Sequence, residues 1–293
     1  MADAQQRPIN RVIKLIISMS FFAVASMWRA MRWLVGKPAG PTWTILYYHA
    51  IRNEQREAFA DQMNVVGRLA TAVPLQEMPA AARGKRYCSI TFDDGFENTI
   101  QNAVPELAKR KLPATIFVTS GAMGNAARWW PESSPEHNEK IAAAEQIQSL
   151  PSDLITIGSH TLTHPKLPLL SETEAKRELS ESRMQLEKLL QRRITLFSFP
   201  YGEFTPALLE LCREAGYERV YTSLPGNALC NPTAFAVGRV SAEPSDWPLE
   251  FHLKVLGAYA WLPPAISIKR SLMRFLPAKS MPLHERALQN PTA

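Results

Sequence analysis

Short apolar runs recur along the chain and alternate with stretches of helical periodicity. Seven of these runs are rich in β-branched or aromatic residues and end in turn residues or charges: WTILYY (43–48), YCSITF (87–92), ATIFVT (114–119), LITIGS (154–159), ITLFSF (194–199), RVYTS (219–223) and FAVGRV (235–240). Nearly continuous apolar runs are typical of parallel strands that are covered by helices. The pattern therefore predicts an α/β fold of about seven strands, either a (β/α) barrel or a wound sheet.

Two of the intervening helices have clear end signals. Residues 171–191 begin with Ser171 and Glu174, which form a capping box, and carry leucines at helical spacing. A second helix begins at Thr205, a cap that is followed by proline at the first helical position, and ends near Gly216. Helices between parallel strands leave the carboxyl ends of the strands free, which is where sites form in such folds.

The N-terminal segment LIISMSFFAVASMW (15–28) is the single membrane candidate. It is shorter than the roughly 18–20 apolar residues of a comfortable span, although Lys14 and Arg29 could extend it by snorkelling. A retained anchor or an interfacial helix is the favoured interpretation. A signal peptide is less favoured because Trp28 and Arg29 follow the expected cleavage region at once. A buried core helix is the remaining alternative.

Composition and charge agree with a globular domain that lies near a membrane. The chain has 293 residues, a net charge of +6, 46% hydrophobic and 20% charged residues. Basic residues concentrate at the two ends: Arg7, Arg11, Lys14, Arg29, Arg32 and Lys37, then Lys269, Arg270, Arg274 and Lys279. This distribution suits an anionic membrane surface better than a nucleic-acid groove, with ordinary solubilising charge as the alternative. No nucleic-acid module is evident.

The chain divides into three predicted parts. Residues 1–40 are an apolar anchor and a linker that contains Gly36, Pro38, Gly40 and Pro41. Residues 41–262 are the α/β domain, and residues 263–293 are a basic, proline-containing tail that we expect to be loosely packed. Three cysteines, Cys88, Cys212 and Cys230, form no disulfide framework and no Cys-x-x-Cys metal motif.

Polar motifs follow three of the predicted strands directly. Asp93 and Asp94 end the second strand, SHTLTH places His160 and His164 after the fourth, and FPYG (199–202) follows the fifth. Each motif alone is weak, since such residues are common in turns and on surfaces. Together at equivalent strand ends they predict a three-ligand metal site with open positions, which is the arrangement of a catalytic metal.

These motifs, TFDDG, HTLTH and FPYG, resemble those of the polysaccharide deacetylases that share the NodB homology domain. The resemblance covers residues 43 to 262 and implies a distorted (β/α) barrel of about seven strands. It also implies that Asp94, His160 and His164 bind a divalent metal, usually zinc. Asp93 is then the general base, and the backbone N–H of Tyr201 stabilises the oxyanion.

The sequence departs from the common family pattern in two places. No Leu-x-His motif follows FPYG, but LYYHAI (46–51) resembles the Tyr-His element of the permuted branch that acts on poly-N-acetylglucosamine, which makes His49 the expected general acid. A capping or core histidine is the alternative. Many relatives have an arginine where this chain has Ser198, and we expect Arg239 to orient Asp93 from another strand. A simple surface salt bridge of Arg239 is the competing interpretation.

Three hypotheses for the function follow. The first is a metal-dependent hydrolase that removes N-acetyl or similar acyl groups from amino sugars of a glycan or lipid-linked glycan at the bacterial inner membrane, on a side that the sequence leaves open. The second is a hydrolase of another amide or ester on the same scaffold. The third is a catalytically silent glycan-binding or scaffold protein, which the presence of Asp93 disfavours. Trp129, Trp130 and Trp247, in predicted loops, are candidates for sugar stacking or for packing.

Overall fold

The computed structural model describes residues 8–37, 39–80 and 82–273. Its parallel strands are β1 (Thr42–Tyr48), β2 (Thr71–Ala72), β3 (Arg86–Phe92), β4 (Ala114–Val118), β5 (Ile155–Ser159), β6 (Leu196–Ser198), β7 (Arg219–Thr222), β8 (Ala236–Gly238) and β9 (Val240–Ser241). All seven predicted strands are present. The short β2 was not predicted, and it pairs with the first residues of β3. Every ladder between these strands is parallel, as the apolar runs predicted.

The sheet closes almost completely into a barrel. The strand order is β8-β7-β6-β5-β4-β3-β1-β9, and one residue, Arg239, separates β8 from β9. The seventh predicted strand is therefore divided: its first half pairs with β7 and its second half with β1. Gly238 lies at this bend, where a Cβ atom would meet the carbonyl oxygen of Leu224 at 1.8 Å, so that only glycine fits. The expectation of a distorted barrel is confirmed.

The barrel interior changes character along its axis. Its base and middle are filled by large side chains: Trp43, Ile45, Leu75, Tyr87, Phe117, Leu196, Tyr221 and Val237. The opposite strand faces bury Leu46, Ile90 and Ile116 in the larger core beneath the helices. Towards the carboxyl ends the interior becomes polar, with Thr91 and Ser198 buried beside Arg239. Such a packed base leaves only the carboxyl end of the barrel open for chemistry.

Eight helices are present in the described residues: α1 (Pro8–Leu34), α2 (Arg56–Leu69), α3 (Glu97–Arg110), α4 (Ala144–Gln148), α5 (Glu172–Leu190), α6 (Pro206–Glu214), α7 (Pro248–Val255) and α8 (Leu262–Met273). Both predicted caps are confirmed, since Ser171 accepts a hydrogen bond from the N–H of Glu174 and Thr205 from that of Leu208. All three cysteines are free, with Cys88 and Cys212 buried and Cys230 exposed.

The two chain ends differ in part from expectation. Helix α1 is longer than the predicted apolar segment and is exposed along most of its length, unlike a core helix. The first part of the predicted tail is helical, as α8. Residues 1–7, Pro38 and residues 274–293, which include Arg7, Arg274 and Lys279, lie outside the described residues.

Candidate active site

The two aspartates after β3 face different surroundings because the backbone changes conformation between them. Asp93 continues the inward alternation of β3, and its carboxylate shares one arginine donor with Thr91 two residues earlier. Asp94 has a φ of 69°, a left-handed conformation that turns the chain out of the strand. Gly95 continues the turn with a φ of 84°. Both carboxylates are buried, with exposed fractions of 4% and 1%.

Asp94, His160 and His164 come together as predicted. One ligand atom from each lies within 4.8 Å of the other two. Asp94 Oδ1 is 3.2 Å from His164 Nε2 and 3.6 Å from His160 Nε2. This buried oxygen has no hydrogen-bond donor among the described residues. An orphaned carboxylate oxygen beside two imidazole nitrogens fits a metal ion, which would satisfy all three lone pairs.

The environment of His160 prepares its Nε2 atom to be a ligand. Its Nδ1 lies 2.8 Å from the carbonyl oxygen of Ser198, which can only accept, so Nδ1 carries the proton. Burial lowers the pKa of His160 to about 4, and His164 adds to the decrease although Asp93 and Asp94 oppose it. The ring is therefore neutral near pH 7, with the Nε2 lone pair directed towards Asp94.

The pKa of Asp94 is set by opposing influences. Burial raises the pKa of this carboxyl group. The neighbouring imidazoles of His164 and His160 outweigh burial and hold the pKa of Asp94 well below its usual range. Asp94 is consequently an ionised carboxylate, which is the form that binds a metal.

Helix α5 holds the turn between the two histidines. Glu178 accepts hydrogen bonds from the backbone N–H groups of Leu162 and Thr163, both at 2.9 Å. The Ser182 hydroxyl donates to the carbonyl oxygen of Thr161 at 2.9 Å. Sequence reasoning missed both supports, because Glu178 and Ser182 look like ordinary polar positions of a helix. The capping box at Ser171 was the indirect signal, since it fixes where α5 begins and thus which residues reach the turn.

Left-handed backbone conformations concentrate at this site. Six non-glycine residues in the described chain have a positive φ, and four of them are site residues: Asp94, Thr161, His164 and Tyr201. Such conformations cost free energy and persist where the surrounding structure enforces them, most often at functional sites.

Arg239 pairs with Asp93 inside the barrel. Its Nη1 and Nη2 atoms donate to Oδ1 and Oδ2 of Asp93, both at 2.7 Å, and Nη2 also donates to the Ser198 hydroxyl at 2.7 Å. The guanidinium is 1% exposed, so a surface salt bridge does not describe this contact. Burial raises the pKa of Asp93, but the charge and hydrogen bonds of Arg239 outweigh burial, and the pKa is lowered overall.

His49 and Tyr201 both lie close to the candidate metal ligands. The His49 ring follows β1 and packs edge-on against Tyr47, with ring centroids 5.7 Å apart. The Tyr201 ring lies 4.8 Å from the His164 ring. The φ of Tyr201 is 59°, and none of the backbone hydrogen bonds found among the described residues uses its N–H. Burial and the charge of Asp94 raise the pKa of the Tyr201 phenol to about 12, so this group stays neutral.

Two of the three candidate tryptophans contact the site. Trp129 stacks on His164 with ring centroids 4.6 Å apart. Trp130 donates from Nε1 to Asp94 Oδ2 at 3.1 Å, and its ring packs edge-on against His49 at 5.1 Å. Trp247 instead lies against Arg11 of α1. Trp130 thus connects a candidate metal ligand to the candidate acid, which its place in a loop did not reveal.

Residues 80–220 match the model of the polysaccharide deacetylase family. The chain contains a polysaccharide deacetylase domain. A poly-β-1,6-N-acetyl-D-glucosamine N-deacetylase of Staphylococcus aureus (strain MSSA476) is 28% identical over 140 residues, which is 45% of this chain and 46% of the relative. A Bacillus subtilis (strain 168) protein assigned to the polysaccharide deacetylases is 28% identical over 155 residues, 53% of this chain and 51% of the relative. The chain thus spans about half the length of these curated relatives.

Solved deacetylase structures share the fold. IcaB from Ammonifex degensii superposes with a TM-score of 0.60 at 24% identity, over 73% of this chain and 97% of that chain. The Streptococcus pyogenes deacetylase PplD, solved with acetate, gives 0.59 at 20% identity, over 74% and 98%. The family match includes Asp93, Asp94, His160, His164 and Tyr201 of the polysaccharide deacetylase domain. His49 and Arg239 fall outside the matched residues, so the family match does not bear on their roles.

Proposed function

We propose that this domain removes N-acetyl groups from amino sugars of a glycan by metal-dependent hydrolysis. The observation that carries the proposal is the buried Asp94, His160 and His164 cluster with a second, separately held carboxylate, Asp93, directly beside it. A metal-binding carboxylate and a base are both needed for hydrolysis of an amide, and the chain keeps the two apart by backbone geometry and by Arg239.

Asp94, His160 and His164 would hold the divalent ion. One carboxylate and two imidazoles form a donor set that is typical of catalytic zinc. Such an ion supplies Lewis-acid chemistry, since it polarises an acyl carbonyl and lowers the pKa of water. Trp130 restrains Asp94 Oδ2 by its hydrogen bond, which leaves Oδ1 for the ion.

Asp93 is the proposed general base. It accepts the proton of the water whose oxygen attacks the acyl carbon. Arg239 occupies one lone pair on each carboxylate oxygen, so a second lone pair on each oxygen remains for the proton. Because the bidentate contact fixes the plane of the carboxylate, Arg239 acts as a positioning residue.

His49 and Tyr201 complete the proposed reaction. The attack gives a tetrahedral oxyanion, to which the backbone N–H of Tyr201 donates a hydrogen bond. The C–N bond then breaks as His49 gives its proton to the departing nitrogen. The products are acetate and a free amino sugar. Asp93 takes up one proton and His49 gives up one, so the number of protons on the protein is unchanged.

The choice of amino sugar rests on the relatives. The Staphylococcus aureus relative is named for poly-β-1,6-N-acetyl-D-glucosamine. We therefore propose a polymer or lipid-linked oligomer of N-acetylglucosamine as the substrate class. Trp129, stacked on His164 and partly exposed, is a surface on which a sugar ring could stack.

The decisive experiment measures acetate release from β-1,6-linked N-acetylglucosamine oligomers by purified protein, with β-1,4-linked oligomers and formylated analogues in parallel. Asp93→Asn should lower turnover by about 10²–10⁴-fold, the usual contribution of a general base, while metal content stays at the wild-type level. His49→Ala should act in the same way, because neither residue is a proposed ligand.

The matched control is Asp153→Asn, which removes an exposed carboxylate in the turn before β5 and should leave turnover unchanged. Wild-type acetate release by Asp93→Asn would refute the assignment of the base. A wild-type protein that binds metal and oligomers but releases no acyl group would refute the hydrolase proposal and favour a binding role.

A further inference from the structure

Helix α1 places most of its polar side chains, together with Leu15 and Phe22, against the barrel and turns a broad apolar side outwards, unlike an ordinary surface helix. The side chains that contact the domain recur at helical spacing: Arg11, Lys14, Leu15, Ser18, Phe22, Ala25, Ser26 and Arg29. Between residues 9 and 31 the charged residues are Arg11, Lys14 and Arg29, and all three belong to this inward stripe. These three charged residues are therefore directed towards the domain.

The N-terminal end of the stripe is anchored at the carboxyl end of the barrel. Arg11 Nε donates to Glu250 of α7 at 2.8 Å, and Nη2 donates to the carbonyl oxygen of Ser245 at 2.9 Å. The guanidinium also lies 4.4 Å from the Trp247 ring. About two turns further along the helix, the Ser18 hydroxyl accepts a hydrogen bond from Trp261 Nε1 at 2.9 Å.

The C-terminal end of the stripe reaches the amino end of the barrel. Arg29 lines a cavity with Pro41 and Thr42, where β1 begins. Since Arg11 and Arg29 are 18 residues apart, the docked length is about 27 Å at 1.5 Å per residue. The helix thus lies along the side of the barrel, antiparallel to β1.

The outward side of α1 is apolar and has no charged residue from residue 9 to residue 31. Exposed side chains on it include Ile13, Ile16, Val24, Met27, Trp28 and Met31, which are 49%, 57%, 62%, 62%, 61% and 54% exposed. A soluble protein rarely leaves so long an apolar strip in water. Exposed basic residues lie at the C-terminal end of the helix and at the start of β3: Arg32, Lys37, Arg83, Lys85 and Arg86.

We propose that the outward face of α1 lies in the interface of an anionic lipid bilayer, parallel to the membrane plane, while its polar stripe stays docked on the barrel. The strip and the basic residues beside it match the acyl boundary and the anionic headgroups respectively. Trp28 and Trp33, both exposed, are residues that favour the headgroup level.

Docking along the barrel also separates this arrangement from a transmembrane span. The docked length of about 27 Å is close to the whole hydrocarbon thickness of about 30 Å. A spanning helix would have to leave the domain completely. Arg11 and Lys14 would then lose the domain contacts they have here and enter or approach the hydrocarbon, at a cost of several kcal/mol.

The first test is flotation of the full-length purified chain with vesicles of phosphatidylcholine, with and without phosphatidylglycerol. The wild type should float with the anionic vesicles, and Ile13→Glu/Ile16→Glu should remain in the soluble fraction. The matched control is Met184→Glu on α5, a methionine 58% exposed on another helix, which should float like the wild type. Acetate release from a short soluble oligomer should be the same for all three, so a failure of the proposed function is a separate result.

The second test measures sidedness on sealed membrane vesicles with a membrane-impermeant maleimide. Asn10→Cys reports the start of α1, and Ser152→Cys reports the barrel, each in a Cys230→Ser background. Both should react from the same side without detergent. If one of the two reacts only after detergent is added, the helix spans the membrane and the proposal is wrong.

A second copy of the chain is the competing occupant of the outward face. In that case the wild type would stay with the soluble fraction as a dimer, and Ile13→Glu/Ile16→Glu would convert it to a monomer in light-scattering measurements. That result would overturn the membrane proposal.

Discussion

Replacing Arg239 by methionine removes the guanidinium and keeps a side chain of similar length. The contact consists of two hydrogen bonds of 2.7 Å between groups that are 1% and 5% exposed. Removal of one partner of such a buried pair costs about 3–5 kcal/mol, because the other charge is left uncompensated. For a domain of this size, this loss lowers Tm by roughly 6–20 °C.

The same substitution should also change the pH dependence of turnover. Arg239 is the largest of the influences that lower the pKa of Asp93 against the effect of burial. Without it, burial raises the pKa of Asp93, so the acidic limb of the pH–rate profile should move to higher pH. Thermal unfolding and acetate release between about pH 5 and 9 measure the two effects on one protein preparation.

A double variant distinguishes charge pairing from packing. Arg239→Met/Asp93→Asn should regain much of the stability that Arg239→Met loses, since no buried charge remains. The surface control is Arg177→Met, which breaks an exposed pair with Glu181 and should cost no more than about 0.5 kcal/mol. A Tm for Arg239→Met within a degree of the wild type, with an unshifted pH–rate profile, would refute the reasoning.

Three further outcomes are expected. His160→Ala should abolish stoichiometric metal binding, measured by elemental analysis, because it removes one of three ligands. Trp130→Phe should weaken metal affinity by about 10–100-fold, measured by competition with a chelator, because Asp94 Oδ2 loses its donor. Burial raises the pKa of Asp246 to about 6 although Lys254 opposes the increase. The folded chain therefore binds this proton more tightly than the unfolded chain does. As the pH rises from about 4 to 6, the contribution of Asp246 to the unfolding free energy falls. Asp246→Asn should remove that fall in denaturant titrations.

Each of these has a control in the same chain. His252→Ala removes a histidine of α7 outside the metal cluster and should keep the metal. Trp247→Phe alters a tryptophan that lies against α1 and should keep wild-type affinity. Asp153→Asn should keep the wild-type pH dependence of unfolding. Unchanged metal content in His160→Ala, unchanged affinity in Trp130→Phe, or an unchanged pH slope in Asp246→Asn would contradict the corresponding assignment.

The strands and the ligand cluster could be predicted because local patterns determine them. Buried parallel strands read as apolar runs, and carboxyl ends of neighbouring strands must meet at one rim. For this reason Asp94, His160 and His164 could be brought together without any knowledge of the intervening loops. The pairing of Arg239 with Asp93 could be predicted because Arg239 also lies at a strand end on this rim. The second reason was that this chain has Ser198 where many relatives have an arginine.

Contacts made by loops and helix faces could not be predicted in this way. The loop that carries Trp130 has no periodicity to fix its course, so its hydrogen bond to Asp94 had no sequence signal. The length of α1 was underestimated because Arg11 and Lys14 interrupt the apolar run, yet both are good helix formers and Arg11 has an acidic partner on the barrel. The spacing of these charges marks one face of the helix but does not say which way that face points.

The single residue between β8 and β9 has a consequence for how activity arises during synthesis. His49 follows the first strand of the barrel and Arg239 precedes the last, so the residues of the candidate site are drawn from nearly the whole length of the domain. A nascent or truncated chain that ends before residue 239 can carry every ligand of the metal and still have no partner for Asp93. On the proposed mechanism, Asp93 is therefore held in its catalytic position only when the two margins of the sheet have met, so that completion of the barrel and assembly of the site would be one event.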